Sequence, residues 1–197
     1  MTSRRPRTPG RRAGAVEFPC AVCGRPVTRT IGTRPRKILC AKCGYRIYDY
    51  PRVCAGLVVV KDDTTLVLRR AEPPRKGCLD TPGGFVEAGE TLEAAARREC
   101  LEETNLRLGR IDWLGFYWDT YELQGFGRFP TMNFYYIGRW KSGEPRAGDD
   151  AGSLEWVPLS KLGGNGVRAA GRGSGRFAWK HMTELFRDVR RWVKTHR

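Results

Sequence analysis

The sequence predicts an α+β fold preceded by a small cysteine-rich module, and two observations lead to this assignment. First, strand-like segments lie on both sides of one helix and a second helix ends the chain, so strands and helices do not alternate strictly. Second, four of the seven cysteines form two Cys-x2-Cys pairs near the N-terminus. The 197 residues suit one ordinary domain and one small module.

We expect residues 1–15 to form a disordered basic tail. Residues 1–14 contain five arginines and no acidic residue, with almost nothing apolar to bury. Residues 168–197 carry nine basic against two acidic residues, so most of the net charge of +15 lies at the two ends. Such ends could contact a polyanion such as RNA. The alternatives are a transit peptide, which the prolines and glycines disfavour, and a solvated tail, which we favour.

Residues 16–50 are predicted to form a zinc ribbon. Cys20 and Cys23 make the first pair and Cys40 and Cys43 the second, a spacing typical of a structural Cys₄ zinc site. A glycine directly follows each pair and allows the tight turn of a zinc knuckle. Four thiolates leave zinc no open position, so we expect a structural Zn²⁺. The alternative is two disulfides, which three further cysteines and the lack of an apparent secretion signal disfavour.

Residues 51–197 are predicted to form the main domain. Val53–Val60 is a run of small and β-branched residues typical of a strand buried on both faces, which makes Cys54 a core residue, and Thr64–Arg70 is its partner. The remaining predicted segments are a loop at 72–81, strands at Arg107–Tyr121, Thr131–Trp140 and Ser153–Val157, and loops at 143–152 and 163–175.

The final helix is predicted at Phe177–Thr195, where an apolar stripe is typical of a packing helix. His181 lies on this stripe and is expected at the edge of the core rather than in catalysis. No apolar run approaches the ~20 residues of a membrane span, and the N-terminus lacks the apolar core of a signal peptide. We therefore expect a soluble, cytoplasmic protein without a membrane partner.

The stretch Gly83–Leu106 carries the clearest chemical signal. A glycine pair and an acidic turn lead into a helix predicted at Leu92–Thr104, with a threonine at its N-cap. Glu99 and Glu103 continue the apolar face of this helix, and Glu102 lies beside them. These carboxylates repel one another at the helix C-terminus, where the macrodipole also disfavours negative charge, so we expect a cation there.

A hard divalent cation fits this position. Mg²⁺ prefers one or two carboxylates together with water and substrate phosphate, and the glycine pair could bring a backbone carbonyl to the same point. The alternative is a solvated charge run on a surface helix, which the location of the acids on the packing face disfavours. A phosphate ester is therefore the expected third component.

The same residues resemble the signature of the Nudix hydrolase family, G-x5-E-x7-R-E-U-x-E-E-x-G-U, where U is apolar. The matching positions are Gly84, Glu90, Arg98, Glu99, Glu102, Glu103 and Leu106. The chain departs at Asn105, where the pattern has glycine, and has Cys100 at an apolar position. Asparagine also accepts the left-handed conformation that ends a helix, so we expect the turn to be kept.

The resemblance extends over nearly the whole chain. The cysteine module, Tyr48-Asp49-Tyr50-Pro51, Arg69-Arg70-Ala71 and GCLDTPGGFVEAGE are similar to zinc-ribbon Nudix proteins, a group that includes NADH pyrophosphatases. The chain lacks the Ser-Gln-Pro-Trp-Pro-Phe-Pro motif of those enzymes, and it also lacks the proline that often marks ADP-ribose hydrolases. The resemblance implies an α/β/α sandwich with a mixed β-sheet.

The resemblance also implies an activity, namely hydrolysis of a nucleoside diphosphate linked to another moiety, as in ADP-ribose, NAD(H) or a nucleotide sugar, with Mg²⁺ or Mn²⁺. The implied metal ligands are the Gly84 carbonyl, Glu99, Glu102 and Glu103. Glu103 is also the first candidate for the general base, and Arg98 would pair with Glu90 and orient the cluster. The alternative bases are Glu144, Asp149 and Asp150.

Two groups of side chains are candidates for substrate contacts. Arg69 and Arg70 could bind phosphate. Aromatic rings could stack on a nucleobase, although each could equally belong to the strand core: Tyr117, Trp118, Tyr121, Phe126 and Phe129. A homodimer is compatible with this site, because a second subunit could complete the pocket.

The alternative function is an RNA-directed or nucleic-acid-binding zinc-ribbon protein that uses the basic ends. It would either remove a cap or a 5′-triphosphate, or bind without catalysis. The intact set of three glutamates disfavours a non-catalytic binder, because without a metal these charges only destabilise the helix.

Overall fold

The computed structural model describes residues 15–30, 37–48, 50–123, 127–148, 151–162 and 176–196 of the chain. These residues belong to two units, Met1–Tyr50 and Pro51–Arg197. Apart from Ala15, the expected N-terminal tail lies outside the described residues, as does the predicted loop 163–175. Within the described chain, no helix is both long and apolar enough to cross a membrane.

The first unit consists of two small antiparallel hairpins, each carrying one cysteine pair at its turn. β1 (Ala15–Pro19) pairs with β2 (Pro26–Thr30), and β3 (Lys37–Leu39) pairs with β4 (Arg46–Tyr48). The glycine after each pair has φ near +70°, a conformation that L side chains rarely adopt. These two knuckles confirm the predicted zinc ribbon.

The second unit is built on a mixed sheet with the strand order β11-β6-β5-β10-β9. β10 runs parallel to β5, whereas the other pairs in this order are antiparallel. Two short strands extend it, since β7 pairs with β6 and β8 with β5. The elements are β5 (Arg52–Lys61), β6 (Thr64–Arg70), β7 (Leu79–Asp80), β8 (Gly83–Phe85), α1 (Leu92–Thr104), β9 (Asp112–Leu123), β10 (Gly127–Arg139), β11 (Ala151–Pro158) and α2 (Met182–Thr195).

One helix covers each face of this sheet, which confirms the α/β/α arrangement. Side chains of β5 alternate between the two cores: Leu57 and Val59 pack with α1, whereas Val58 and Val60 pack in the core that contains α2. This alternation explains why the segment is apolar without interruption, because both of its faces are buried.

The predicted start of the last helix is wrong. α2 begins at Met182, because the backbone around Phe177 pairs with β7 instead: the Leu79 N–H donates to the Arg176 carbonyl and the Ala178 N–H to the Leu79 carbonyl. Phe177 nevertheless reaches the α2 core, where its ring stacks on Phe186 at 5.2 Å.

Other boundaries also differ from the prediction. β10 begins at Gly127 rather than at Thr131, and β11 begins at Ala151 rather than at Ser153. Part of the predicted loop 72–81 forms β7. The strand predicted from Arg107 begins only at Asp112, because the Arg97 side chain of α1 binds the carbonyls of Leu108 and Gly109 and holds this segment against the helix.

Candidate active site and zinc site

The four cysteine thiols of the first unit come together across the two knuckles. The Sγ atoms of Cys20 and Cys43 are 3.7 Å apart and those of Cys23 and Cys40 are 3.6 Å apart. Tetrahedral zinc with bonds of ~2.3 Å places its sulfurs about 3.8 Å apart. A disulfide would need ~2.05 Å. The thiol cluster therefore fits Zn²⁺, and these separations are too long for disulfides between the paired thiols.

Backbone hydrogen bonds also favour metal binding by one of these thiols. The amides of Cys43 and Lys42 lower the pKa of the Cys40 thiol to about 6. The hydrogen bond from the Tyr45 amide lowers the pKa of Cys43 on the same knuckle, but burial and the Cys40 and Cys20 thiols outweigh it and raise that pKa. The thiolate form that binds metal is therefore favoured at Cys40 of this pair.

In the second unit, α1 presents two acidic residues, Glu99 and Glu103, to a cavity of about 380 Å³. The helix begins as predicted, with the Thr91 hydroxyl accepting from the Ala94 N–H at 3.1 Å. It ends at Asn105 in the left-handed conformation with φ of 57°, so asparagine does replace the expected glycine. The loop that follows β10 satisfies the terminal carbonyls, because the Arg146 and Gly148 amides donate to Thr104 and Glu103.

Glu103 and Glu99 line this cavity in a partly desolvated position. The Gly83 N–H donates to Glu103 Oε2 at 2.9 Å. Burial nevertheless raises the pKa of Glu103 to about 8, and burial also raises the pKa of Glu99. Two adjacent carboxylates are stable as anions in such a place only beside a cation, so the donor set fits a hard divalent ion.

Gly84 lies where the Glu99 carboxylate closely approaches the backbone. A Cβ at Gly84 would lie 2.4–2.7 Å from the carboxyl atoms of Glu99. β8 carries this residue next to β5, where Gly83 packs on the backbone of Ala55 and Gly56. The glycine pair of the sequence therefore brings backbone to the acids of α1, as the composition of the stretch suggested.

Arg98 forms ion pairs with three glutamates of the signature. Its guanidinium contacts Glu90 at 2.8 Å, Glu99 at 2.8 Å and Glu102 at 3.0 Å, and it also donates to the Phe85 carbonyl. The hydrogen bonds from Arg98 lower the pKa of Glu90. The side chain of Glu102 is 55% exposed and lies outside the lining of the cavity.

The two candidate phosphate-binding arginines face different surroundings. Arg70 lines the cavity and is held there by Asp80 at 3.0 Å and by the Pro74 carbonyl. Arg69 instead pairs with Glu155 of β11 and does not line the cavity. Only one of these residues is therefore placed to meet a ligand there.

The aromatic candidates for base stacking also lie in different places. Tyr121 lines the cavity and stacks on Phe129 at 5.5 Å. Tyr117 is buried in the core under α2, with its hydroxyl bound to Asp188. Trp118 is 57% exposed and lines a neighbouring cavity instead. Phe126 lies outside the described residues.

The alternative bases gain no support from the described residues. Glu144 is exposed and does not line the cavity. Asp149 and Asp150 lie outside the part of the chain that the structure describes.

Sequence reasoning missed several residues of the cavity. Asp80 and Trp179 line it together, with the Trp179 indole N–H donating to Asp80 at 2.8 Å. Tyr135 also lines it, and its hydroxyl lies 3.1 Å from Nε2 of His181. Asp80 had a signal, since it falls within the GCLDTPGGFVEAGE stretch. No sequence signal marked Trp179, because it lay within the helix predicted at Phe177–Thr195.

Cys54 and His181 also differ from a simple core residue. Cys54 was expected in the core, but it is half-buried and lines the cavity; burial raises the pKa of its thiol to about 12 and keeps it protonated. His181 is buried as expected, and its Nδ1 lies 2.8 Å from Asp119. That contact and the Tyr135 hydroxyl occupy both ring nitrogens.

Comparisons with known proteins identify the family of this chain. The family model described as NUDIX domain matches residues 50–176. An ADP-ribose pyrophosphatase of Methanocaldococcus jannaschii is 38% identical over 118 residues, which are 60% of this chain and 68% of that protein. A NAD-capped RNA hydrolase of Deinococcus radiodurans is 35% identical over 99 residues, 48% of this chain but 34% of its own length. The match thus spans about a third of that hydrolase.

Solved structures give the same fold. A NUDIX hydrolase from Nitrosomonas europaea has a TM-score of 0.59 at 22% identity and covers 90% of this chain and 91% of its own. A MutT NUDIX hydrolase from Burkholderia pseudomallei has a TM-score of 0.56 at 26% identity, covering 71% of this chain and 98% of its own.

Proposed function

This chain belongs to the Nudix family, and on that premise we propose that it hydrolyses the pyrophosphate bond of a nucleoside diphosphate linked to another moiety, such as ADP-ribose, NAD(H) or a nucleotide sugar. One observation carries the proposal: Glu99 and Glu103, both partly desolvated, meet the Gly83-Gly84 turn in a cavity that also contains an arginine and an aromatic wall. Such a cavity suits a dianionic phosphate group joined to a flat base.

The acids of the cavity would hold Mg²⁺ or Mn²⁺. We assign Glu99, Glu103 and the Gly84 carbonyl as ligands of the essential ion, and Glu102 as a ligand of that ion or of a second one. When bound, the ion neutralises charge on the diphosphate and makes a coordinated water easier to deprotonate. In the first unit, Zn²⁺ would have a structural role in the ribbon of residues 16–50.

The side chains around the acids have distinct roles in this proposal. Glu103 accepts the proton of the attacking water, since it is the carboxylate that the Gly83 amide fixes in position. Arg98 acts as a positioning residue, because its contacts hold Glu99 toward the cavity. Arg70 binds a phosphate oxygen, and Tyr121 with its aromatic neighbours stacks on the base.

A substrate panel with Glu103→Gln tests this function. The wild type and the variant are assayed with Mg²⁺ on ADP-ribose, NADH, FAD, sugar nucleotides and dinucleoside polyphosphates, with both products identified by mass. We expect the wild type to cleave at least one compound between its phosphates, and the variant to lose about 100-fold or more in turnover.

Glu93→Gln is the matched control, since Glu93 lies on the same helix, is exposed and pairs with Arg97 at 2.9 Å, outside the lining of the cavity. It should retain normal turnover. If Glu103→Gln turned over as fast as the wild type, or if no compound in the panel were cleaved, the proposal would be wrong.

The RNA-directed alternative has one specific observation in its favour, the similarity to NAD-capped RNA hydrolases. Under this alternative the basic ends would contact the polymer. Deleting residues 1–14 should then reduce cap or 5′-triphosphate removal from RNA, most strongly at low salt, while hydrolysis of a small nucleotide is kept. Equal activity of the full and shortened chains on RNA would contradict a role for this tail.

A further inference from the structure

A second cavity of about 500 Å³ lies beside the candidate active site. The two share one lining residue, Trp179, which is therefore part of the wall between them. Strand β9 provides much of the other side of the second cavity, and Arg75 and Lys180 also line it. Nothing in the proposed hydrolysis uses this second cavity.

The partition between the cavities is held firmly. The Trp179 ring stacks on Tyr121 at 5.0 Å, its indole N–H binds Asp80 at 2.8 Å, and the Arg70 guanidinium lies 5.3 Å from its ring centre. These three contacts fix the indole from the active-site side. A ligand that extends past the Trp179 ring would therefore occupy both cavities at once.

The second cavity offers an aromatic surface. Trp118 lines it, and this side chain is 57% exposed although it carries a large apolar ring. An exposed indole in a polar cavity is a suitable platform for stacking, and stacking on it accepts any nucleobase.

The charges of the cavity favour an anion. Its two acidic side chains already have partners, because Glu122 pairs with Arg128 at 3.0 Å and Asp119 contacts His181 at 2.8 Å. Arg75 and Lys180 line the same cavity without an ion pair to any residue in the described ranges. Two cations beside a stacking surface match a nucleoside that carries its own phosphate.

We propose that the second cavity binds a nucleoside whose ribose carries a phosphate, so that the chain prefers pyrophosphate-linked substrates with a 2′- or 3′-phosphorylated nucleoside at one end. This inference rests on the proposed function, because it assigns the part of the substrate that extends beyond the pyrophosphate. Trp118 stacks on the base, and Lys180 and Arg75 contact the ribose phosphate.

Matched pairs of substrates isolate the added phosphate. NADP⁺ differs from NAD⁺ only by a 2′-phosphate, and coenzyme A differs from dephospho-coenzyme A only by a 3′-phosphate. For the wild-type chain we expect a KM about 5- to 10-fold lower for the phosphorylated member of at least one pair. The pair whose two members differ in KM shows whether the cavity binds a 2′-phosphate or a 3′-phosphate.

Two variants assign the preference to this cavity. Lys180→Glu should abolish the KM preference for the phosphorylated member, and Trp118→Ala should raise KM for both members about 10-fold. The controls are Lys194→Glu, an exposed charge change on α2, and Trp113→Ala, a similarly exposed tryptophan of β9; neither residue lines a cavity described here.

Calorimetric binding of the same four compounds, with Ca²⁺ in place of Mg²⁺, separates this inference from the proposed hydrolysis. If no compound is hydrolysed but NADP⁺ or coenzyme A binds more tightly than its partner and Lys180→Glu removes the difference, the cavity assignment stands and the function fails. If compounds are hydrolysed but neither pair differs in KM or affinity, or if Lys180→Glu and Trp118→Ala behave as their controls do, the inference is overturned.

Discussion

At the scale of single residues, the site depends on charges that the protein alone does not neutralise. Arg98 is shared among three glutamates, and in the described part of the chain Glu103 receives one hydrogen bond, from the Gly83 N–H. Burial consequently raises the pKa of Glu103 to about 8. A buried carboxylate with so little compensation is costly for stability, and a bound cation removes that cost.

Gly84→Ala should damage metal binding at this position. The added Cβ would lie as close as 2.4 Å to the Glu99 carboxylate, so that carboxylate must move out of place. We expect Mn²⁺ affinity, measured by electron paramagnetic resonance, to fall about 10-fold or more, as for other changes around metal ligands. Gly109→Ala is the control, because a Cβ there meets nothing within 4 Å. Unchanged Mn²⁺ affinity in Gly84→Ala would show that Glu99 is not a ligand.

Tyr135→Phe should reduce stability, because the Tyr135 hydroxyl lies between His181 Nε2 and the Thr81 hydroxyl. Its removal leaves a buried histidine nitrogen without a partner, which costs about 1–3 kcal/mol in the free energy of unfolding. Urea denaturation measures this loss. Tyr136→Phe, on the opposite face of β10, should cost much less, and an equal cost for both would contradict the buried network.

At the scale of elements, one end of each helix is held by backbone hydrogen bonds: the C-terminal end of α1 and the residues that precede α2. The loop after β10 donates to the last carbonyls of α1, and the residues before α2 pair with β7. Through these two attachments, the acids of α1 and the indole of Trp179 reach the same cavity from opposite faces of the sheet. The site therefore needs both helices to be docked.

Zinc removal tests the ribbon as an element. A segment of about 30 residues has too small a core to fold without its metal, so a strong chelator should unfold it. We expect Cys20, Cys23, Cys40 and Cys43 to become reactive to an alkylating agent after chelation, as read by mass spectrometry. Cys100, which lies on the buried face of α1, should stay protected and serves as the internal control. If the four thiols reacted equally fast before chelation, the metal site would be ruled out.

At the scale of the whole molecule, the second unit places its charges where a divalent ion should stabilise the fold. A ligand that binds only the native state raises stability by RT ln(1 + [L]/Kd), which is about 2.7 kcal/mol at 100 times Kd. We expect millimolar Mg²⁺ or Mn²⁺ to raise the thermal midpoint of the wild type by several degrees. The double variant Glu99→Gln/Glu103→Gln should not respond. NaCl at equal ionic strength is the control, and an equal shift with NaCl would contradict a specific site.

Local patterns predicted the elements well where the residues had a clear local role, such as capping a helix or filling a buried strand. The limits of α1 followed from Thr91 and Asn105, and the buried strand β5 followed from its unbroken apolar run. The start of α2 could not be predicted, because Phe177 fits a helical stripe equally well while its backbone pairs with a strand distant in sequence. Helical periodicity reports which side chains are buried, but not where the backbone hydrogen bonds go.

The sequence by itself determined the cluster of four cysteines, the acidic helix and the glycine pair, because thiol spacing, helical phase and the conformational freedom of glycine are local properties. Only the tertiary structure decided that Arg70 rather than Arg69 faces the cavity, that Tyr117 is core, and that Trp179 divides two cavities. Strand pairing and helix docking set these outcomes, and both depend on contacts between residues far apart in the chain.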